Sequence, residues 1–269
     1  MKLFPLRPHD KISLSDKAAL PPRSLDADDS TLEKKMEKLR MRLDELQNAL
    51  YAESKQSLLV VLQARDAGGK DGTIRRVFSF VNPQGCSVTA FKGPSHVELA
   101  HDYLWRVHAA VPAHGMIGIF NRSHYEDILA VRVHKLAPKK VWKSRYEEIN
   151  DFERMLTNNG VTIVKFFLHI SKEEQRARLS ERLTDPSKNW KFQAGDLDER
   201  ALWDGYTQAY IDVFRKCSTT VAPWFIVPAD RKHARDYLVL EKIVSTLERM
   251  KPKYPAADPK TLKLLSKLQ

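Results

Sequence analysis

The chain has 269 residues, enough for one or two domains with a sizeable core, and its 42% hydrophobic and 29% charged residues are ordinary for a soluble globular protein. Its formal net charge of +11 indicates a polyanionic partner, and nucleic acid, an anionic membrane and a phosphate polymer satisfy that charge equally well. The two cysteines match no metal or redox spacing, no secretory apolar segment opens the chain, and no apolar run approaches membrane-spanning length, so we expect a cytoplasmic protein with reduced thiols.

Residues 1–30 show no clear period and predict an irregular arm, at whose end Ser30 and Glu33 are expected to form a capping box. Apolar residues then recur at alternating steps of four and three: Leu32, Met36, Leu39, Leu43, Leu46 and Leu50. This spacing predicts an amphipathic helix with a narrow apolar seam. The seam is expected to dock onto the main body or onto a second copy of the chain, and a regulatory coiled coil is the alternative.

Residues 31–250 are predicted to form a single domain in which short apolar strands alternate with amphipathic helices. The predicted strands are Leu58–Gln63, Ser87–Phe91, Met116–Phe120, Thr162–His169 and Trp224–Val227. The predicted helices are Thr73–Phe80, Val97–Val107, Tyr125–Lys135, Arg145–Asn158, Lys172–Arg182, Glu199–Arg215 and Arg235–Arg249. The alternation predicts an α/β fold with a parallel five-stranded sheet, helices on both faces and ligands at the carboxyl ends of the strands. Residues 251–269 contain several prolines and are expected to form a tail on the surface.

The end of the first strand carries the most informative motif. The strand passes into a glycine-rich turn, a lysine and a helix, an arrangement in which backbone N–H groups and the helix N-terminus face a phosphate. The predicted phosphate-binding residues are Ala67, Gly68, Gly69, Lys70, Asp71, Gly72 and Thr73. The match to G-x-x-x-x-G-K-S/T is imperfect, since Ala64 replaces the first glycine and Asp71 replaces the hydroxyl residue. A tight turn whose glycines serve only the backbone is the alternative.

A second polar cluster follows the third strand, where its side chains should lie beside the phosphate loop. The candidate phosphate- and nucleotide-binding residues of this cluster are Asn121, Arg122, Glu126 and Asp127. In enzymes with a phosphate loop an acid at this place orients a magnesium ion, but here the first polar residue is the amide of Asn121. The alternative is that Asn121 to Ser123 cap a helix and Glu126 complements its dipole.

The third candidate cluster is a basic helix and flap after the fourth strand, spanning about residues 171–198. Its candidate ligand-binding side chains are Arg176, Arg178, Arg182, Lys188 and Lys191. A mobile basic segment at this place is typical of lids that close over transferring phosphates. The alternative is a solvated helix whose arginines pair with Glu173, Glu174 and Glu181. The residues expected to form the next helix start and its core-facing side are Asp196, Asp198, Glu199, Trp203 and Tyr206.

Four stretches of the sequence resemble the polyphosphate kinase 2 family: ARDAGGKDG, IFNRSHYED, KFFLHISKEEQRARLSERLTDPSKNWKF and APWFIVPADRK. They follow the family's order over roughly residues 45–250. The resemblance implies a P-loop kinase-like core with a helical basic lid, and transfer of the terminal phosphoryl group of inorganic polyphosphate to a nucleotide with Mg²⁺ as cofactor. The stretch NRSHYED is similar to the class III members, which phosphorylate both AMP and ADP. The resemblance and the helical seam imply a homodimer or homotetramer with no nucleic-acid or membrane partner.

The resemblance also implies roles for individual residues. Asp66 resembles the loop carboxylate that binds magnesium and positions the accepting phosphate. Lys70 resembles the loop lysine that stabilises charge on the transferring group. Arg122 resembles the arginine that clamps phosphate after the third strand, and Arg182 resembles the lid arginine that reaches the reacting phosphates.

The predicted metal ligands are Asp66, Asn121 and Glu126. Asn121 stands where many members of the family carry Asp, so Glu126 is expected to share the metal. Two other functions stay open at the level of sequence: an ATP-dependent nucleoside monophosphate kinase, which shares the loop, sheet and lid, and a nucleic-acid-binding module that uses the positive surface. Polyphosphate-dependent phosphoryl transfer is distinguished from both alternatives by formation of ATP from ADP and polyphosphate when no ATP is supplied.

Overall fold

The computed structural model describes residues 3–7, 9–25 and 28–262. Five parallel strands form one sheet in the order β2-β3-β1-β4-β5. The strands are β1 (Ser57–Ala64), β2 (Cys86–Ala90), β3 (Ile117–Asn121), β4 (Val161–His169) and β5 (Trp224–Pro228). Each predicted strand is confirmed to within one residue at either end. Because β1 lies between β3 and β4, the segments that follow these three strands meet at one edge of the sheet.

Eleven helices accompany the sheet in the described ranges. They are α1 (Asp29–Glu53), α2 (Lys70–Phe78), α3 (His96–Leu99), α4 (Trp105–His108), α5 (Glu126–Val133), α6 (Lys139–Asn158), α7 (Lys172–Thr184), α8 (Gly195–Ala201), α9 (Trp203–Cys217), α10 (Lys232–Met250) and α11 (Pro259–Leu262). Short 3-10 turns lie at Asp16–Ala19, Arg23–Leu25, Pro83–Gly85 and Asn189–Lys191. Parts of the predicted arm and tail, at residues 1–2, 8, 26–27 and 263–269, lie outside the described residues. None of the helices in the described chain combines the length and the apolar character that a bilayer crossing requires.

Two of the predicted helices are divided in the structure. The helix predicted at Val97–Val107 is instead α3 and α4, because the carboxylate of Asp102 accepts from the backbone N–H of Leu104 at 2.9 Å and caps a new turn. The helix predicted at Glu199–Arg215 begins within α8 and is interrupted at Leu202, before α9. The other predicted helices are confirmed with shifted ends.

The predicted capping box of α1 is wrong. The N-cap is Asp28, whose carboxylate accepts from the backbone N–H of Ser30 at 3.0 Å. Glu33 does not reach back to the helix start; it forms ion pairs with Arg40 and, at 2.6 Å, with Arg76. Asp28 already satisfies the N–H of Ser30, which the Glu33 carboxylate would have taken in a capping box, and the two arginines bind that carboxylate instead.

Both faces of the sheet are covered by helices, as the α/β prediction requires. Leu58, Val60 and Leu62 of β1 pack in a layer with α1, α2 and α10, whereas Leu59 and Val61 pack in a second layer with α5, α6 and α9. The strand is therefore buried along its length and apolar from Leu58 to Leu62, because alternate side chains meet different layers. The apolar seam of α1 belongs to the first layer, so it docks onto the main body of its own chain.

Candidate active site

The loop between β1 and α2 contains two left-handed positions, Ala67 with φ of 58° and Gly69 with φ of 96°. The backbone N–H of Gly68 donates to the carbonyl oxygen of Arg65 at 3.0 Å. A side chain on Gly68 would meet the Cβ of Ala64 at a distance of 2.4 Å. The glycines are therefore needed for the turn, and the turn brings the N-terminus of α2 to the carboxyl end of β1.

Lys70 begins α2, and its side chain runs back under the loop. It is only 9% exposed, and its Nζ lies 3.4 Å from the carbonyl oxygen of Ala64. Burial, and then the positive charge of Arg122, lower the pKa of Lys70. No ion pair of this ammonium occurs within the described part of the chain. A buried ammonium with one long hydrogen bond has donors to spare for an anionic ligand.

Asp66 and Arg122 face each other across the ends of β1 and β3. Nη2 of Arg122 donates to Oδ1 of Asp66 at 2.9 Å, and the side chain of Arg122 is 43% exposed. Burial would lower the pKa of Arg122, but the carboxylates of Glu126 and Asp66 outweigh it and raise that pKa. The guanidinium is therefore positive at every physiological pH and is available to a competing phosphate.

A cavity of about 310 Å³ opens beside this pair. Its lining includes Asp66, Arg122 and Glu126, here called the Asp66–Arg122 wall, together with residues of α8 and α9. Burial raises the pKa of Glu126, although Arg122 and Lys70 lower it in part. A nearby cation would therefore stabilise the ionised form of this carboxyl.

The donor set of this wall fits a hard divalent cation. Asp66 and Glu126 both supply carboxylate oxygens to the cavity, and Mg²⁺ typically takes one or two carboxylates together with water and phosphate oxygens. Asn121, the third predicted ligand, uses its amide nitrogen to donate to Oδ1 of Asp71 at 2.7 Å. Among the described residues, no three His, Cys, Asp or Glu side chains are grouped so as to hold a metal.

Two predicted binding residues have partners elsewhere. The hydroxyl of Thr73 is buried and donates to Oδ1 of Asp236 on α10 at 2.9 Å. The carboxylate of Asp127 lies 3.7 Å from Arg145 and 3.8 Å from Arg106, in the wall of a separate cavity of about 300 Å³. The structure does not bring these two side chains to the Asp66–Arg122 wall, and their roles stay predictions.

Arg182, on α7, is the predicted lid arginine. Its Nη1 donates to Oδ2 of Asp196 at 3.0 Å and lies 3.4 Å from the carbonyl oxygen of Lys191. Asp196 itself lines the cavity, as Arg122 does. Arg182 is thus joined to the cavity through its carboxylate partner, and a phosphate in the cavity could replace that partner.

The other basic side chains of the predicted lid lie outside the cavity. Arg176 pairs with Glu173, and Lys188 pairs with Glu181 at 2.7 Å. The ammonium of Lys191 lies 5.0 Å from the centroid of a neighbouring tryptophan ring. The Arg176–Glu173 pair matches the solvated-helix alternative, and binding of polyphosphate by these residues stays a prediction.

Arg178 has a different position from its neighbours on α7, because it is buried behind the phosphate loop. It donates to the carbonyl oxygen of Ala67 at 3.0 Å and to that of Ala229 at 2.7 Å. A second buried guanidinium, that of Arg235, lies so close that a side chain on Gly69 would meet its Nη1 at 2.1 Å. The rear of the loop is thus supported by two arginines from different helices.

One group of cavity-lining residues was not predicted from the sequence. Asp196, Glu199, Trp203 and Tyr206 were expected to form a helix start and a core-facing side, but all four line the cavity. The face of Trp203 also supports Arg65, whose guanidinium carbon lies 4.0 Å from the ring centroid and whose pKa burial lowers to about 10. The acidic and aromatic residues directly after the basic flap could have indicated a ligand cavity, but the same pattern is equally typical of a helix that faces the core.

Known proteins are similar to this chain along most of its length. The sequence model of the family described as polyphosphate kinase 2 matches residues 26–255. A relative from Meiothermus ruber, named AMP/ADP-polyphosphate phosphotransferase, is 55% identical over 227 residues, which are 84% of this chain and 85% of that protein. A relative from Rhodopseudomonas palustris, named ADP-polyphosphate phosphotransferase, is 46% identical over 240 residues, which are 85% of this chain and 83% of that protein.

A solved structure shares the fold as well. The crystal structure of polyphosphate kinase 2 from Arthrobacter aurescens superposes with a TM-score of 0.86 at 43% sequence identity, covering 90% of this chain and 88% of that one. Its similarity agrees with the parallel sheet and the P-loop kinase-like core described above. On the extent of these matches, the chain belongs to the polyphosphate kinase 2 family.

Proposed function

We propose that this protein transfers the terminal phosphoryl group of inorganic polyphosphate to ADP and AMP, forming ATP and ADP. The observation that carries the proposal is the meeting of Lys70, Arg122 and Asp66 around the phosphate loop and its adjoining cavity. Family membership and the names of the two relatives support polyphosphate and adenosine phosphates as the two substrates. The net charge of +11 favours a polyanionic donor.

Phosphoryl transfer needs no covalent bond between the protein and the substrate. Phosphoryl transfer depends mainly on in-line positioning and on neutralising charge. Lys70 stabilises charge on the transferring group, and Arg122 clamps a phosphate once that phosphate displaces Asp66. The accepting phosphate has a second pKa of about 6, so near pH 7 it needs no base. Asp66 therefore serves to hold a cation and position the acceptor.

Both proposed catalytic arginines are held by carboxylates in the structure. Arg122 is paired with Asp66 at 2.9 Å and Arg182 with Asp196 at 3.0 Å. These pairs keep the guanidinium groups ordered and satisfied without substrate. Each arginine makes one hydrogen bond to its carboxylate, whereas a phosphate can accept two from a guanidinium, so its arrival exchanges each pair for a contact with the reacting group.

We infer that Mg²⁺ is the cofactor and that Asp66 and Glu126 hold it, with Asn121 as a further predicted ligand. Bound there, Mg²⁺ supplies positive charge to the oxygens of the transferring phosphate. The raised pKa of Glu126 supports this, because a cation would offset the burial of its ionised form. Chelation with EDTA is expected to abolish turnover, and added Mg²⁺ to restore it.

The decisive assay supplies ADP, long-chain polyphosphate and Mg²⁺ with no ATP, and AMP in a parallel reaction. We expect ATP from ADP and ADP from AMP, whereas an ATP-dependent nucleoside monophosphate kinase forms no polyphosphate-dependent product. A reaction without polyphosphate is the control, because it detects conversion of two ADP into ATP and AMP. Folded protein that gives the same products with and without polyphosphate contradicts the proposal.

Substitutions test the residues. Lys70→Ala, Arg122→Ala and Arg182→Ala are each expected to lower kcat about 100-fold or more with the fold intact. Each removes a positive charge that stabilises the negative charge on the transferring phosphoryl group. The matched control is Arg154→Ala, which removes an exposed arginine of α6 that pairs with Asp151. Near-wild-type turnover in a folded variant would remove that residue from the mechanism.

We further propose that the enzyme works in the cytoplasm as a homodimer or homotetramer. The free thiols of Cys86 and Cys217 fit a reducing compartment. Exposed apolar side chains, Val88 on the edge strand β2 and the nearby Phe80, suit contact with a second copy. Light scattering after size exclusion tests the assembly, and a monomer at micromolar concentration contradicts it.

A further inference from the structure

A fully buried ion pair lies in the apolar layer below the Arg122 turn. Nζ of Lys165, in β4, donates to Oε2 of Glu153, in α6, at 2.5 Å. The same ammonium donates to the hydroxyl of Tyr125 at 2.7 Å and to the carbonyl oxygen of Cys217 at 2.7 Å. Because an ammonium has three N–H donors, Lys165 is completely satisfied and has none left for a ligand.

The network continues to the residues that follow Arg122. The hydroxyl of Tyr125 donates to Oε1 of Glu153 at 2.9 Å, and Nε2 of His124 lies 3.2 Å from the same oxygen. Ser123, His124 and Tyr125 are all fully buried. Burial alone would raise the pKa of Glu153, but the Lys165 ammonium and the His124 contact keep it below its ordinary value, so the carboxyl is ionised.

Arg122 occupies a backbone conformation that needs such support. Its φ is 63°, in the left-handed region that residues with a Cβ rarely adopt. A conformation of this kind persists only where the surroundings hold it. On one side, the backbone N–H of Arg122 donates to the carbonyl oxygen of Leu62 at 3.0 Å. On the other side, the anchored residues are His124 and Tyr125.

A contribution to stability does not by itself account for this pair. Burying two charges carries a desolvation penalty, and apolar residues of similar volume often replace a buried ion pair with no loss of stability. What the pair supplies beyond an apolar core is fixed geometry, since each hydrogen bond sets both a distance and a direction. The network holds the two buried residues His124 and Tyr125, which follow the left-handed Arg122 closely in the chain, and the guanidinium of Arg122 is a group of the candidate site that requires such precision.

We propose that Lys165 and Glu153 are positioning residues for phosphoryl transfer, which act by holding the His124–Tyr125 segment so that Arg122 points at the transferred phosphate. The inference rests on the proposed function of Arg122. Neither residue touches substrate, because both are sealed within the core.

The main test replaces the network by apolar residues in one step. Single substitutions of Lys165 or Glu153 would leave one buried charge unpaired and are expected to fold poorly. The triple variant Lys165→Met, Glu153→Leu, Tyr125→Phe removes both charges and the hydroxyl together. We expect a melting temperature within a few degrees of wild type, a kcat at least tenfold lower and a higher KM for polyphosphate, because Arg122 also helps to bind the phosphate. A folded triple variant with wild-type kcat overturns the proposal.

A cycle with Arg122→Ala separates positioning from a general effect on the fold. In the Arg122→Ala background the triple substitution is expected to lower kcat by less than twofold, because no guanidinium remains to be misplaced. If the triple substitution lowers kcat by the same factor with and without Arg122, the network acts on another part of the site. This result would overturn the assignment to Arg122.

If the triple variant does not fold, two single variants, Tyr125→Phe and Tyr146→Phe, test the proposal instead. Tyr125→Phe keeps the ring packed against Trp224, with centroids 4.9 Å apart, and removes only the hydroxyl. It is expected to lower kcat at least threefold and to raise the KM for polyphosphate. Tyr146→Phe is the matched control, because its buried hydroxyl accepts from Arg132 at 3.3 Å, away from the network. Equal kcat values in the two variants contradict the proposal.

Binding of inorganic tripolyphosphate, measured by calorimetry, separates failure of this inference from failure of the proposed function. If wild-type protein binds tripolyphosphate but transfers no phosphate, the proposed function fails. The network inference still predicts weaker binding in the triple variant, or in Tyr125→Phe, and no further weakening when Arg122→Ala is already present. Wild-type affinity in these folded variants would count against it whether or not transfer occurs.

Discussion

Gly69 is the position at which the structure makes the sharpest prediction for the phosphate loop. Its φ of 96° disfavours any side chain, and a Cβ would lie 2.1 Å from Nη1 and 3.0 Å from Cζ of Arg235. That guanidinium is buried, and its Nε donates to Oδ1 of Asp236 at 2.8 Å. Asp236 in turn accepts from the hydroxyl of Thr73, so a displaced Arg235 would disturb the contact between α2 and α10.

The expected magnitude for Gly69→Ala has two parts. The left-handed backbone costs about 1–2 kcal/mol for a residue with a Cβ. Pushing a buried guanidinium aside adds about 1–3 kcal/mol, as overpacking of a filled interior does. We therefore expect the free energy of unfolding to fall by roughly 2–5 kcal/mol. A domain with about 5–15 kcal/mol of stability can survive this loss, so the variant can be purified and measured.

The assay is urea unfolding followed by tryptophan fluorescence, without ligand. Gly72→Ala is the matched control in the same loop. It lies within α2, and its new Cβ would have Arg235 at an ordinary contact distance of 3.6 Å. Alanine is a better helix former than glycine by about 1 kcal/mol, so this variant should be as stable as wild type or more stable. The reasoning is refuted if the free energy of unfolding of Gly69→Ala lies within about 0.5 kcal/mol of the wild-type value, or if Gly69→Ala and Gly72→Ala are destabilised equally.

Asp196→Asn removes the carboxylate that pairs with Arg182 at 3.0 Å and competes with a phosphate for it. We therefore expect the KM for polyphosphate to fall by up to about fivefold in steady-state kinetics, and a higher KM would contradict this competition. Because burial raises the pKa of Glu126, the stability that this group contributes is present at low pH and is lost as pH rises through the raised pKa. Glu126→Gln is therefore expected to raise the free energy of unfolding at pH 7 but not below about pH 4, and an equal gain at both pH values would exclude this cause. Burial raises the pKa of both Cys86 and Cys217 to about 12, so at pH 8 the folded protein should react with a disulfide reagent far more slowly than protein in urea, and prompt reaction of two thiols would count against the described burial.

The elements were predictable wherever a local pattern has a single physical meaning. The apolar run of β1 is uninterrupted because a central parallel strand is covered on both faces, and the sequence shows that run directly. The glycines around Gly69 indicated the phosphate loop for a similar reason, since few residue types tolerate the turn. Arg122 could be placed beside the loop because the carboxyl ends of parallel strands share one edge.

The site was predictable only in part, because neighbours in sequence have different surroundings. Glu126 and Asp127 are adjacent, yet they line different cavities, since successive residues of a helix point about 100° apart. Arg178 and Arg182 are four residues apart on α7, but the first lies buried behind the loop and the second pairs with Asp196. Local spacing identified both arginines as candidates and could not separate them.

Local sequence patterns were enough to predict the α/β fold and the glycine-rich turn after β1, because each shows in residues a few positions apart. Which charged side chains meet could be known only from the folded chain. Lys165 stands within an apolar strand, and its partners Glu153, Tyr125 and Cys217 come from three other segments. The physical reason is that backbone conformation responds to near neighbours in the chain, whereas an ion pair depends on segments that only folding brings together.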